Sequence, residues 1–413
     1  MGRAAGDRGR LSAAGRPPLA GLRVVELTAY VAAPLACATL AALGADVVRV
    51  EPPGGATDRT RWPLHEGTSL YWAGLNQGKR SVSIDMGREA GRRLVTDLIV
   101  DAGIVVTNLG EPDWLAFEHL RERREDLIMA VLRGNPDGTA AVDYTVNAAS
   151  GFAYLNGPED HDGPINHALP AWDALAAQML AVGLVAAELH RTRTGEGQLL
   201  RLSLSDVAFT TAVNLGYVAE AEFGGVRPRL GNYVFGTYVC DFRTADGRDV
   251  LVAAVSGGQW RRLVEATGTA AEIERLEREE GIDLTDEGDR FFARKQISAI
   301  LAPFFARLTR EEVGEELERH GVLWGGFQTF AELLDDPRCS ERNPIFAQID
   351  EPGVGSFLHA TSPLDFGGSP RLPPRPFPRV GEHGREVLSS WLDLDAEALD
   401  RLVDEGALAG IDS

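Results

Sequence analysis

Apolar and polar positions alternate along the first half of the chain in two rhythms. Residues 22–27 are apolar apart from Arg23 and Glu26 and predict a strand, and residues 34–43 predict the helix that follows. Residues 46–50, 103–107 and 127–132 are three more β-branched or apolar runs. Residues 88–100, with Leu94, Leu98 and Ile99 on one side, and residues 113–125 have helical spacing. Short apolar runs separated by helices of about 10–15 residues are the signature of βαβ units around a parallel sheet. Such a sheet has right-handed crossovers and takes ligands at the C-terminal ends of its strands.

Residues 174–193 form a long Ala- and Leu-rich helical stretch, stopped by Thr194-Gly-Glu-Gly197. A strand over 198–204 and a helix over 206–222 follow. The texture then changes. Residues 237–243 and 249–255 flank an Asp246-Gly247 turn, a strong antiparallel hairpin signal. Charged helical sequence continues to about residue 320, and a Pro-rich stretch over 363–378 leads to a last helix at 386–392. The predicted architecture is α/β. A disordered N-terminal arm (1–18) precedes a large Rossmann-like domain with a parallel sheet (19–234). A smaller α+β domain (235–345) and a C-terminal return to the large domain (346–413) complete it.

Charge narrows the function. Asp and Glu number 61 against 41 Lys and Arg, a formal net charge of −20. That disfavours nucleic acid or an anionic membrane as the main partner, and any polyanionic ligand would need a local basic cluster. The arm lacks the apolar core of a leader peptide, and no apolar run of about 18–20 residues stands out. Cys37, Cys240 and Cys339 are too scattered for a disulfide framework and read as reduced, buried thiols. The expected location is the cytoplasm.

The turn after the first strand, Thr28-Ala-Tyr-Val-Ala-Ala-Pro34, has no glycine. This argues against a dinucleotide fingerprint, although N–H groups at the helix start can still hold a phosphate or a carbonyl. Asn76-Gln-Gly-Lys-Arg-Ser81, with Arg88 close behind, is the densest basic stretch near predicted strand ends. It suits either a phosphate partner or a solvated turn. Asn108 can contact a ligand or cap the next helix. Asp173, in Leu169-Pro-Ala-Trp-Asp173, can be a helix N-cap, a carboxylate nucleophile beside an apolar Trp, or both. The eight histidines show no metal-ligand spacing, there is no GxSxG elbow, and no metal or redox cofactor is expected.

Several of these segments together resemble the family III CoA-transferases. The opening Gly21-Leu-Arg-Val-Val-Glu-Leu27 is one, with Leu43-Gly-Ala-Asp-Val-Val-Arg-Val-Glu51 after it. Asn76-Gln-Gly-Lys-Arg-Ser-Val-Ser-Ile-Asp85 and Gly195-Glu-Gly-Gln198 are the others, and the resemblance spans residues 19 to 400. It implies a large α/β domain, a small domain from the middle of the chain, and an interlocked homodimer. It places the nucleophile at Asp173 and CoA contacts at Val31, Ala32, Lys79, Arg80, Ile84, Arg88 and Asn108. CoA, carried by the substrate, is then the only cofactor.

The racemase branch of the family uses a His where this chain has Val142, which cannot take a proton. The glycine-rich lid of some members falls at Gly231-Asn-Tyr-Val-Phe-Gly236, which has only two glycines. Arg61-Trp-Pro63, Tyr71-Trp-Ala-Gly-Leu-Asn76, Val142-Asp-Tyr-Thr-Val-Asn147, Leu169-Pro-Ala-Trp-Asp173 and Arg229-Leu-Gly-Asn-Tyr233 are similar to one branch in particular. That branch moves CoA between the C1 and C4 carboxyl groups of a single mesaconate molecule, in the 3-hydroxypropionate cycle of carbon fixation. Such a site needs an anchor for the second carboxylate, and Arg61, Tyr144, Asn147 and Arg229 are the candidates. An intermolecular CoA-transferase acting on a small dicarboxylate shares the same motifs.

Overall fold

The computed structural model describes residues 15–409. Most of the predicted arm therefore lies outside the described residues. Its described end is a turn, in which Ala20 N–H donates to Pro17 O at 3.1 Å and Pro17 packs beside Gly44.

The chain divides into two compact units, Met1–Ser150 with Ala168–Val218 and Asp336–Ser413, and Gly151–His167 with Ala219–Asp335. The expected boundary at 234/235 thus falls at 218/219, and a short excursion at 151–167 joins the second unit. The expectation missed the excursion because its residues carry no strand or helix pattern of their own.

The first unit is built on one sheet. Its strands are β1 (Arg23–Leu27), β2 (Asp46–Glu51), β3 (Arg80–Ile84), β4 (Ile104–Thr107), β5 (Ile128–Arg133), β6 (Leu199–Ser203) and β7 (Leu408–Ala409). Their order across the sheet is β7-β3-β2-β1-β4-β5-β6. All neighbours run parallel except β7, which pairs antiparallel with β3. Val25 of β1 is level with Val48 of β2 on one side and Val105 of β4 on the other. The strand order reverses at β1, so its C-terminal end opens a crevice between two diverging crossovers.

Four helices position the site: α1 (Ala32–Ala42), α2 (Asp143–Ala149), α3 (Ala171–Thr194) and α4 (Leu204–Asn214). The predicted helix over 206–222 is broken at Gly216 (φ 81°), and a separate turn of helix follows at Tyr217–Glu222. The 24-residue α3 corrects the expectation about long apolar stretches. By length and composition it is apolar enough to cross a membrane, yet Trp172, Ala176, Ala177, Leu180, Ala181, Leu184 and Ala187 are buried within the unit. Its end explains the Gly-x-Gly signal. Gly195 (φ 80°) is the left-handed C-cap, and a Cβ on Gly197 would lie 2.1 Å from Leu127 O.

The second unit holds the predicted hairpin, Tyr238–Arg243 with Asp249–Ala254, extended by Leu323–Gly326 into a three-stranded antiparallel sheet. Helices within 257–319 pack on it around Trp260, Leu263, Phe304 and Phe305. Phe242 stacks on Phe305 with centroids 4.1 Å apart. Among the described residues, Cys37 and Cys240 are buried free thiols, whereas Cys339 is only half-buried.

Candidate active site

A cleft of about 890 Å³ lies at the C-terminal ends of β1, β4 and β5. Tyr30, Val31, Ala32, Arg61, Asn108, Val142, Asp143, Tyr144 and Asp173 line it, all from the first unit. The turn after β1 forms one wall. Asn108 holds it with both ends of its amide, accepting from Ala29 N–H at 2.9 Å and donating to Ala29 O at 2.8 Å. The side chain thus fastens a neighbouring strand's turn and does not cap a helix, and Asn108 also lines the cleft, where the ligand-contact alternative had placed it. The next residue, Tyr30, takes a left-handed φ of 70°, and its N–H donates to Asp58 Oδ2 at 2.9 Å. Val31 then caps α1 without a side-chain acceptor, and Val31 and Ala32 at the start of the helix line the cleft.

Behind the turn lies a buried charge network. Arg49 on β2 donates to Glu26 at 2.8 Å and to both oxygens of Asp58. Lys79 is buried too, with Nζ donating to Glu26, to Pro34 O at 2.9 Å and to Asn76 Oδ1 at 2.8 Å. All three ammonium protons are therefore taken. Arg80 pairs with Asp46 and Glu386, Arg88 pairs with Asp85 and donates to Glu405 O, and Ile84 is core. None of these four lines the cleft, and the basic stretch, for which the sequence offered a phosphate partner or a solvated turn, is locally neutralised. Lys79 and Arg80 find acids that are distant in sequence, which no local pattern announces, whereas Arg88 finds Asp85 three residues before it.

Asp173 is the third residue of α3, whose N-cap is Pro170, so it is not the cap. The capping acceptor comes from another element. Asp143, buried at the start of α2, accepts from Trp172 N–H at 2.8 Å and Asp173 N–H at 3.1 Å through Oδ2. Trp172 Nε1 donates to the buried Asn147 Oδ1 at 3.2 Å. Burial, reinforced by the Asp143 charge and opposed by Arg61, pushes the Asp173 carboxyl up to about 6. The Arg61 guanidinium lies over the Tyr71 ring at 4.8 Å and over the Tyr30 ring at 5.9 Å, within cation–π range.

Of the four anchor candidates, Arg61 and Tyr144 share the cleft with Asp173, whereas Asn147 is spent on Trp172. Arg229 belongs to the second unit and donates to the carbonyls of His161 and Gly163 at 2.5 Å each. In the same unit, Tyr233 donates to Ser298 Oγ at 3.0 Å and Phe235 packs on Phe291 at 5.0 Å, so the segment 231–236 is tied down by its aromatic residues.

Tyr30, Tyr71, Asp143 and the loop 134–142 were not read as site residues in the sequence. Gly134 is the one local signal for the loop. A Cβ there would lie 2.2 Å from Ala141 N, so only glycine lets the loop fold back along the cleft.

A half-buried carboxylate that shares a cleft with the start of a helix, at the switch point of a mostly parallel sheet, suits acyl transfer. The sequence pattern of CoA-transferase family III matches residues 19–384, and the chain belongs to that family. It is 46% identical over 402 residues to the 2-methylfumaryl-CoA isomerase of Chloroflexus aurantiacus, covering 95% of this chain and 98% of that one. It is 31% identical over 389 residues to the succinyl-CoA:mesaconate CoA-transferase of Haloarcula hispanica, covering 89% and 94%. Among solved structures, a CaiB/BaiF family protein from Brucella suis matches with a TM-score of 0.76 and 27% identity, over 91% of this chain and 100% of that one.

Proposed function

We propose that this enzyme moves CoA between the two carboxyl groups of one mesaconate molecule, converting 2-methylfumaryl-CoA into 3-methylfumaryl-CoA, with Asp173 as nucleophile. One observation carries the reading: the cleft carboxylate Asp173 occurs in a chain 46% identical over 402 residues to a protein of that activity.

In this scheme Asp173 carboxylate attacks the thioester carbonyl. The tetrahedral oxyanion collapses to a mixed anhydride and expels CoA thiolate. The thiolate attacks the aspartyl carbonyl, giving an aspartyl-CoA thioester and free mesaconate. The other carboxylate of mesaconate attacks that thioester and expels the thiolate again. Attack of the thiolate on the mesaconyl carbonyl of the second anhydride then releases Asp173 and 3-methylfumaryl-CoA. Each step is a substitution at an acyl carbon, with no net proton or electron change. The N–H groups of Val31 and Ala32, which line the cleft, are the proposed donors to the oxyanions. Retaining mesaconate replaces a bimolecular encounter with an effectively intramolecular one, worth several kcal/mol of barrier on the usual scale of about 7–11 kcal/mol at most.

Val142, at the N-cap of α2 and 58% exposed, supplies no base for racemisation. The second reading, intermolecular transfer to a separate dicarboxylate, is favoured by the match to the succinyl-CoA:mesaconate enzyme. Turnover of 2-methylfumaryl-CoA in excess isotope-labelled free mesaconate separates the two. Unlabelled 3-methylfumaryl-CoA is the expected product; label entering the CoA esters in step with turnover replaces the first reading with the second.

A further inference from the structure

We infer that Arg61, whose guanidinium lies over the rings of Tyr30 and Tyr71, is the group that reads the carboxylate of the acyl chain not joined to CoA. The inference rests on the dicarboxylyl-CoA substrate proposed above. Bringing a second carboxylate into this cleft is costly, because Glu111, Asp137, Asp143 and Asp173 already line it. Among the described residues the lining has two cations, Arg61 and Arg133. Arg133 is committed to Glu111, which Arg201 also approaches at 3.3 Å. Arg61 is half-buried and pairs with no acid among the described residues.

Its setting suits the role. A guanidinium stacked on aromatic faces keeps its edge donors free, and that edge matches a carboxylate bidentately. The rings lie 4.8 and 5.9 Å from its centre. Tyr30 is held in place from behind. Its left-handed backbone is unfavourable for a bulky residue, and it persists because Asp58, fixed by the buried Arg49, takes its N–H. Tyr144 can add a hydrogen bond from the same cleft, but a neutral phenol cannot balance the charge. The site then has two poles, Asp173 for the reacting carboxyl and Arg61 for its opposite number, and mesaconate exchanges its ends between them.

The test uses binding to the full chain carrying Asp173→Asn, so that no chemistry occurs. Two ligands are compared, 2-methylfumaryl-CoA and tiglyl-CoA, which has a methyl group in place of the distal carboxylate. Asp173→Asn alone should prefer the dicarboxylyl ester by about 10- to 100-fold. Adding Arg61→Gln should bring the ratio close to one by weakening only the dicarboxylyl ester. Arg61→Lys, which keeps charge without the planar stack, should retain part of it, and tiglyl-CoA affinity reports that each variant is folded. A ratio unchanged by Arg61→Gln overturns the inference, as does a ratio near one before Arg61 is touched. Equal weakening of both esters also overturns it, because Arg61 then serves the CoA moiety. Failure of the wild-type chain to convert 2-methylfumaryl-CoA would overturn the proposed function separately, since the binding ratio is measured without turnover.

Discussion

Asp173 lies in the first turn of a helix, where the peptide dipoles favour a carboxylate, yet burial and Asp143 outweigh that help and lift its pKa to about 6. In the proposed scheme the ionised form is the nucleophile. The rate of acyl transfer should therefore be level above pH 6 and fall about tenfold per unit below it, read from kcat/KM against pH. Arg61 opposes the shift, so Arg61→Gln should move the acid limb upward. The same shift bears on stability. The folded state binds this proton more tightly than the unfolded chain, so the group's contribution is best below the unfolded pKa of 3.8 and is lost as pH rises through about 6. Asp173→Asn should thus abolish turnover, by at least about 10³-fold, while stabilising the fold at pH 7–8 by on the order of 1–2 kcal/mol, discounted for partial exposure. Below pH 4 the gain should vanish. Denaturant melts at the two pH values decide it, and equal gains at both would show that the carboxylate's charge is not the cause.

At the scale of elements, α2 and α3 are joined through Asp143, which caps one helix from the start of another. Asp143→Ala removes the acceptor of two helix N–H groups and a charge that raises the Asp173 pKa. It should cost about 1–2 kcal/mol and move the acid limb of activity downward. Asp143→Asn keeps an acceptor and drops the charge, so the limb should move with a smaller loss of stability; a limb that stays put in both would remove Asp143 from the tuning of Asp173. Asp143 also marks the limit of what the sequence discloses. β1, β2, β4 and β5 were legible because buried parallel strands are continuous apolar runs. β3 was not, because Ser81 and Ser83 interrupt it, and Ser81 Oγ is satisfied in the core by donating to Glu51 at 2.9 Å and accepting from Gly381 N–H at 3.0 Å. Asp173 stood out as a candidate through its Trp-Asp context at a helix start and through the family resemblance. Its cap did not, being 30 residues away and joined by a hydrogen bond that no periodicity encodes. Lys79 shows the converse: a cation conspicuous in sequence that the fold buries against Glu26, 53 residues distant.

For the whole molecule, the net charge of −20 and the composition of the cleft act in the same direction. The described lining has Arg61 and Arg133 against Glu111, Asp137, Asp143 and Asp173, and the basic stretch at Lys79, Arg80 and Arg88 is neutralised by its own partners. CoA brings several phosphate charges of the same sign into that field. Encounter with acyl-CoA is then opposed at low ionic strength and eased once the Debye length shrinks from about 30 Å at 0.01 M to about 8 Å at 0.15 M. The expected result is a rise in kcat/KM of about two- to fivefold between those salt concentrations, with kcat nearly constant because salt acts on association. An uncharged osmolyte at matched viscosity should produce no rise. A fall with salt would mean that the CoA phosphates meet a positive surface which the described cleft lining does not contain. The search for it would then turn to cations outside the cleft, beginning with Arg80 and Arg88, whose acidic partners Glu386 and Asp85 are exposed enough to be displaced.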